Sequence, residues 1–284
     1  MSTLTDLIQI IQPDNEETPE DIFASAPGLI FTDDLRTLHG DPGTTIVYKS
    51  KRFGDIELKT ADPEGEDDRR LFSHYLWNAG IKLAELISDD EAENGKWRVQ
   101  GERVLELGAG VGLGGIVATL AGADEVMITD YPAPVVIENI RRNAKKCISS
   151  HLEAKYNIEG HRWGDTSSTT GLVAESAHHC TRIIAADCYW MLGEHLNLVR
   201  SMLHFLTLEP GGRVFAIGAF HTGRAKMAAF FDVATEEGLE VDEIYEEDAD
   251  GNRRAWVKER NGGEEDVLER KRWLVIARLK RRTL

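Results

Sequence analysis

The sequence predicts an α/β protein built on a mostly parallel, doubly wound sheet with an antiparallel last strand. Three observations carry that prediction. From about residue 97, apolar strand-like runs alternate with helical stretches; a glycine-rich turn joins the first strand to the helix after it; and two final strands follow one another with no periodic helix between them. The strands are expected at 103–108, 125–130, 153–163, 181–188 and 212–220, then at 239–245 and 272–279, seven in all. The helices are expected near 112–121, 134–147, 192–207 and 223–237. The clearest is 192–207, where Leu192, Leu196, Val199, Leu203 and Leu206 fall on one stripe, ended by Pro210-Gly211-Gly212.

Ahead of this core, residues 1–45 are rich in Asp, Glu, Pro and Thr and read as an extension partly ordered by docking. Residues 44–60 carry two apolar runs about a Gly-Asp turn and predict a hairpin, 61–70 a charged loop, and 71–87 a helix. The expected organisation is an N-terminal extension over 1–70 and one catalytic domain over 71–284.

The chain of 284 residues is 42% apolar and 29% charged, enough to bury a large core and unlike a collagenous or disordered chain. No apolar run approaches the roughly 20 residues of a membrane span, and the N-terminus has no basic, apolar secretory signal. Cys147, Cys180 and Cys188 form neither a disulfide framework nor a metal pattern. A cytoplasmic, reducing location without a membrane partner or a metal is the expectation. A net charge of −16 argues against a nucleic-acid partner, which needs a basic face. The acid is uneven: 240–269 hold twelve Asp/Glu against four Lys/Arg, and the last fifteen residues carry seven basic groups and no acid. Such runs read either as a solvated face or as an acidic rim that steers a basic partner.

The stretch VLELGAGVGLGG (104–115) puts its glycines at the carboxyl end of the first sheet strand, where open α/β sheets bind ligands. Gly110, Gly112 and Gly115 match the dinucleotide pattern GxGxxG, whereas Glu106 with Gly108, Gly110 and Gly112 matches the E-x-G-x-G-x-G loop of S-adenosylmethionine enzymes. The second reading is preferred, because a carboxylate at 106 repels a pyrophosphate but can face an α-amino group. A dinucleotide domain also commonly opens its chain, and an oxidoreductase needs a substrate domain after the sheet. Asp130, ending the second strand, can accept hydrogen bonds from both ribose hydroxyls of either cofactor, or it can cap a helix before Pro132.

Taken together, LWNAG (76–80), VLELGAGVGL (104–113), TDYP (129–132), Trp163-Gly164-Asp165 and AADCYW (185–190) resemble the family-16 branch of seven-β-strand methyltransferases. That branch contains protein lysine methyltransferases and fungal proteins named nicotinamide N-methyltransferase-like. The nearest look is to the fungal group that acts on the N-terminus and lysines of elongation factor 1A. The resemblance implies a Rossmann-like, seven-stranded class I methyltransferase sheet and S-adenosyl-L-methionine as cofactor. It implies that Trp77 lines the cofactor site, that Gly108, Ala109 and Gly110 surround the methionine moiety, and that Asp130 binds the ribose. Trp163 would flank the adenine, and Ala186 is the small residue before the fourth-strand acid.

Methyl transfer from a sulfonium is an in-line displacement that needs alignment, exclusion of water and a neutral amine. Asp187-Cys188-Tyr189-Trp190 offers a carboxylate and aromatic faces after the fourth strand, so Asp187 is expected to orient the acceptor amine, with Tyr189 and Trp190 as the wall. Many lysine-modifying members of the resembling family carry D-x-x-Y here, so Trp190 stands where tyrosine is expected. Phe220, His221 and Arg224, after the fifth strand, are further candidates for the acceptor pocket, and Cys188 has no paired histidine to make it a nucleophile. The function these residues support is N-methylation of a basic protein substrate, at lysine or an N-terminal amine. Two alternatives are a small-molecule amine such as nicotinamide, and a cofactor-binding regulator without turnover.

Overall fold

The computed structural model describes residues 3–11, 38–62, 72–91, 94–168 and 170–283. A turn of 3-10 helix (Leu4–Leu7) leads into β1 (Ile8–Ile11), with Leu4 and Leu7 buried. After β2 (Leu38–His39), β3 (Thr45–Ser50) and β4 (Gly54–Lys59) form a hairpin that turns through 51–53, not at Gly54-Asp55, which opens β4, and β1 adds antiparallel to β3. β5 (Leu76–Trp77) pairs antiparallel with β2 and runs straight into α1 (Asn78–Ser88). The helix anticipated over 71–87 therefore starts at Asn78. Its opening is pinned where His39 Nε2 meets Asn78 Oδ1 at 2.7 Å, and the aromatic residues before it line a cavity instead. The expected charged loop lies mostly outside the described residues.

The main sheet begins with β6 (Arg103–Leu107), whose alternation feeds both faces: Val104 packs on one, Leu105 and Leu107 on the other. It continues through α2 (Leu113–Leu120), β7 (Glu125–Asp130), α3 (Pro134–Cys147), β8 (Tyr156–Gly160), α4 (Gly171–Glu175), β9 (Arg182–Ala186), α5 (His195–Phe205) and β10 (Arg213–Ala219). The chain ends with α6 (Arg224–Glu237), β11 (Leu239–Asp248), β12 (Arg253–Ala255), α7 (Val267–Lys271) and β13 (Trp273–Arg281). Pro134 sits in the first turn of α3 and Lys145 and Lys146 in its last, as helix ends favour.

The spatial order is β12-β11-β13-β10-β9-β6-β7-β8, with β13 antiparallel to both of its neighbours. The sheet thus has eight strands, not seven. The extra one, β12, folds back on β11 through Tyr245–Ala255, Glu246–Arg254 and Glu247–Arg253. Because the chain leaves β6 for β7 and β8 on one side and returns to β9 on the other, the turn after β6 lies at a switch in strand order, where a crevice opens. One hydrophobic layer joins the sheet to α1, α2, α3 and the N-terminal hairpin; the other joins it to α4, α5 and α6.

Two further expectations shift. The strand expected over 153–163 is confined to 156–160, because 150–155 coil as 3-10 helix. In α5 the buried stripe is His195, Leu198, Val199, Met202 and Phe205, while Leu192 is 54% and Leu196 36% exposed. Leucine spacing alone placed that stripe about one residue off.

The acidic run is only partly a solvated face: Asp250, Glu259, Glu264, Asp266 and Glu269 are exposed, while most of the others are drawn into ion pairs. Glu246, fully buried, takes Arg224 Nη2 at 3.1 Å, Arg254 Nε at 2.7 Å and Arg260 Nη2 at 3.3 Å. Glu265 takes Arg224 at 2.7 Å, Glu247 pairs with Lys82 and Arg253, and Asp242 with Arg213 and Arg278. Arg224 also lies over the Phe220 ring at 4.3 Å. Breaking such a buried network from one side strands its remaining charges, so Arg224→Ala should cost about 3–5 kcal/mol. Denaturant unfolding checks this, with Leu192→Ala, exposed in the 3-10 turn before α5, as a control of small effect.

Candidate active site

A cavity of about 200 Å³ opens at the carboxyl ends of β6, β7 and β9. Its floor is the glycine turn. Gly108 has φ of +69°, and a Cβ there would meet Cys188 Sγ at 2.7 Å and Trp163 at 3.1 Å, so only glycine lets backbone form this surface. Gly110 donates its N–H to Asp130 Oδ2 at 2.7 Å, and Tyr131 N–H takes Oδ1 at 2.7 Å. Asp130 is thus fixed by the turn it faces; the α3 cap position belongs to Ala133. One layer deeper, Glu106 Oε2 accepts from Gly115 N–H at 2.8 Å, under the start of α2. Gly114 and Gly115 leave room for that carboxylate.

Both carboxylates are buried, and neither has a basic ion-pair partner among the described residues. Burial pushes Glu106 up to about 8, against the bond from Gly115 and helped by the charge of Asp130, and pushes Asp130 up to about 6. A ligand bringing an ammonium, a sulfonium or hydroxyl donors relieves this cost. The glycine cradle, the two carboxylates and the indole of Trp163 fit S-adenosyl-L-methionine on that count.

All eight residues expected at the cofactor line this one cavity: Trp77, Glu106, Gly108, Ala109, Gly110, Asp130, Trp163 and Ala186. So do Asp187 and Trp190. Tyr189 does not. Its ring is buried in the opposite layer, stacked on Phe230 at 4.5 Å, with its hydroxyl 3.5 Å from the Val275 carbonyl. Asp187, at φ of +56°, breaks the strand alternation after β9, so 187 and 190 line the cavity while 189 turns into the core, and Trp190 builds the wall with aromatics other than Tyr189. Trp190 meets Phe72 edge-on at 5.6 Å, Phe72 meets Trp77 at 6.5 Å, and Tyr75 meets Trp77 at 6.1 Å. Phe72 and Tyr75 escaped sequence reading because their spacing matched a helix; the density of aromatic side chains in 72–77 was the available signal. Phe220 and Arg224 also leave the acceptor end, one stacking on Trp256 and the other joining the ion network. His221 remains near it, 3.3 Å from Asp187 and 4.7 Å from the Trp77 ring. The Cys188 thiol donates to the Leu107 carbonyl at 3.0 Å, and burial raises its pKa well above the usual thiol value.

This fold and this cavity define an S-adenosylmethionine-dependent methyltransferase. The chain belongs to the lysine methyltransferase family, whose pattern matches residues 63–237. It is similar to the protein N-terminal and lysine N-methyltransferase efm7 of Schizosaccharomyces pombe, 32% identical over 62% of this chain and 68% of that one. The Yarrowia lipolytica protein of the same name is 32% identical over 70% of this chain and 74% of its own. Among solved structures, a methyltransferase complexed with SAH superposes with a TM-score of 0.54 at 11% identity, over 85% of this chain and 57% of that one, a likeness of fold.

A carboxyl group held protonated when folded favours the folded state at low pH and loses that advantage as pH rises through its folded pKa. Between about 4.5 and 8, the ordinary and folded values of Glu106, the ligand-free protein should lose stability with rising pH. Glu106→Gln keeps the bond from Gly115 and should flatten the slope. Thermal melts across this window should show the wild type falling by more than about 4 °C relative to the variant, the effect of some 1–2 kcal/mol in a chain of this size.

Proposed function

We propose that this protein methylates an amine of a protein substrate, a lysine or an N-terminal amine, with a basic translation factor such as elongation factor 1A as the favoured acceptor. The observation that carries the reading is a carboxylate, Asp187, set among Phe72, Trp77 and Trp190 in a cavity whose floor is the glycine turn. The names of the similar fungal proteins support the protein acceptor, and the net charge of −16 supports a basic one. We also infer a cytoplasmic location, supported by three free cysteines. Residues 1–70 are, on this reading, an extension to a catalytic domain over 71–284, a division supported by the family match beginning at 63.

When bound, S-adenosylmethionine supplies a methyl group made electrophilic by its sulfonium. Gly108, Ala109 and Gly110 would hold the methionine part, with Glu106 facing its ammonium, Asp130 the ribose, and Trp163 and Ala186 the adenine side. Asp187 accepts an N–H of the incoming amine and orients its lone pair. Its own position is fixed: its N–H donates to the Ile217 carbonyl at 2.8 Å, and Oδ1 accepts from Ala219 N–H at 2.8 Å. The aromatic rim excludes water and offers π faces to a cationic amine. Trp190 supplies by its indole face what a tyrosine supplies elsewhere.

Calorimetric titration should give micromolar binding of S-adenosylhomocysteine and none of NAD. Asp130→Ala should weaken that binding at least about tenfold, roughly the worth of one charge-assisted hydrogen bond. Asp187→Asn should leave it intact while slowing methyl transfer to elongation factor 1A by about 100-fold or more.

A further inference from the structure

Three bonds tie the turn after β9 to the turn after β10. Asp187 N–H donates to the Ile217 carbonyl, Ala219 N–H to Asp187 Oδ1, and Thr222 Oγ1 to the Trp190 carbonyl at 3.2 Å. His221 is carried between them. Asp187 itself sits at φ of +56°, a conformation that costs a non-glycine residue about 1 kcal/mol or more and persists only where its surroundings enforce it. The result is that one carboxylate oxygen, Oδ1, is spent on backbone, while Oδ2 is turned to His221 Nε2 at 3.3 Å. Both atoms are buried, and neither completes a well-aligned hydrogen bond with a partner among the described residues. A buried acceptor beside a buried ring nitrogen, both incompletely satisfied at the edge of a ligand cavity, is an arrangement waiting for one more donor.

We propose that His221 is the positioning residue of the acceptor end: it holds Asp187 Oδ2 in place and surrenders that oxygen to the acceptor amine when it loses its proton. The inference rests on the methyltransferase reading above. With His221 protonated, imidazolium and carboxylate cancel, and an ammonium finds no net charge at Asp187. With His221 neutral, the carboxylate charge is free for the amine. The charged groups facing the ring are Asp187 from the β9 turn and Lys271 from α7, and Trp77 closes the side towards the cavity edge-on at 4.7 Å. Burial lowers the pKa of His221, but Asp187 outweighs burial and Lys271, leaving it above the ordinary 6.5. The transition therefore lies above the ordinary histidine value, and amine capture strengthens as pH rises through it.

Two measurements on the full chain test this. In the first, the histidine ring signals of the protein loaded with S-adenosylhomocysteine are titrated by NMR, with His221 assigned by its loss in His221→Gln. The expected result is a pKa above 6.5 in the wild type that falls below 6.5 in Asp187→Asn; a wild-type value at or below 6.5 overturns the proposal. In the second, labelled methyl transfer into elongation factor 1A at sub-saturating acceptor is followed from pH 6 to 9. The wild type should lose rate about tenfold per pH unit below the His221 transition, beyond the shared loss from protonation of the amine itself, and His221→Gln should lack that extra limb. A uniform drop in rate with the limb retained would mean a structural histidine and would also overturn the proposal. Failure of S-adenosylhomocysteine to bind, or absence of transfer by the wild type, would instead count against the methyltransferase reading or its acceptor, and the same ring titration on the ligand-free protein still decides the pair.

Discussion

Two buried carboxylates without cationic partners among the described residues are the constraint around which the ligand end of this molecule is arranged. Glu106 lies under the first turn of α2 and Asp130 under the glycine turn, each held by backbone N–H groups rather than by a basic side chain. Backbone donors fix a carboxylate's direction without cancelling its charge. The glycines follow from this, because any side chain at 114 or 115 would displace Glu106, and one at 108 would fill the space between Cys188 and Trp163. The site is thus destabilised when empty and relieved by a ligand carrying positive charge and hydroxyl donors, a form of preorganisation bought from the rest of the fold.

The opposite solution appears at the other end of the sheet. There Glu246, Glu247 and Glu265 are buried with arginines and Lys82, so the acidic run and the basic residues around it neutralise one another inside the protein. The same side-chain type is left unpaired where a ligand is to bind and fully paired where strands are to be joined. Much of the excess acid in 240–269 is therefore structural, and attraction for a basic partner rests on net charge spread over the molecule.

The parallel core was legible in the sequence because its strands are short apolar runs and its turns are marked by glycine and proline. Most of the eight expected residues that line the cavity were legible for a related reason: they lie on β6, in the turn after it and at the ends of β7 and β9, where local sequence dictates the geometry, whereas Trp77 in β5 and Trp163 after β8 rested on the resemblance. What escaped depended on contacts between distant segments. Residues 72–77 follow a helical spacing, yet 73–75 turn and pairing of Leu76–Trp77 with Leu38–His39 holds the last two extended. Tyr189 looked like a wall residue because sequence does not tell which way a side chain leaves an irregular turn, and β12 was hidden in a run dominated by charge.

Where residues 72–77 cross the glycine turn, the Ser73 carbonyl oxygen lies only 3.3 Å from where a Cβ on Gly110 would sit. That crossing is the roof of the cavity, and its far side is stapled by two residues, Leu38 and His39, that lie upstream of the segment matching the family. The unit that recognises the family and the unit that encloses the ligand therefore have different edges. The roof itself falls inside the family match while the strand that pins it does not, so a change at Leu38 or His39 bears on the enclosure of a ligand without touching a single residue of the floor.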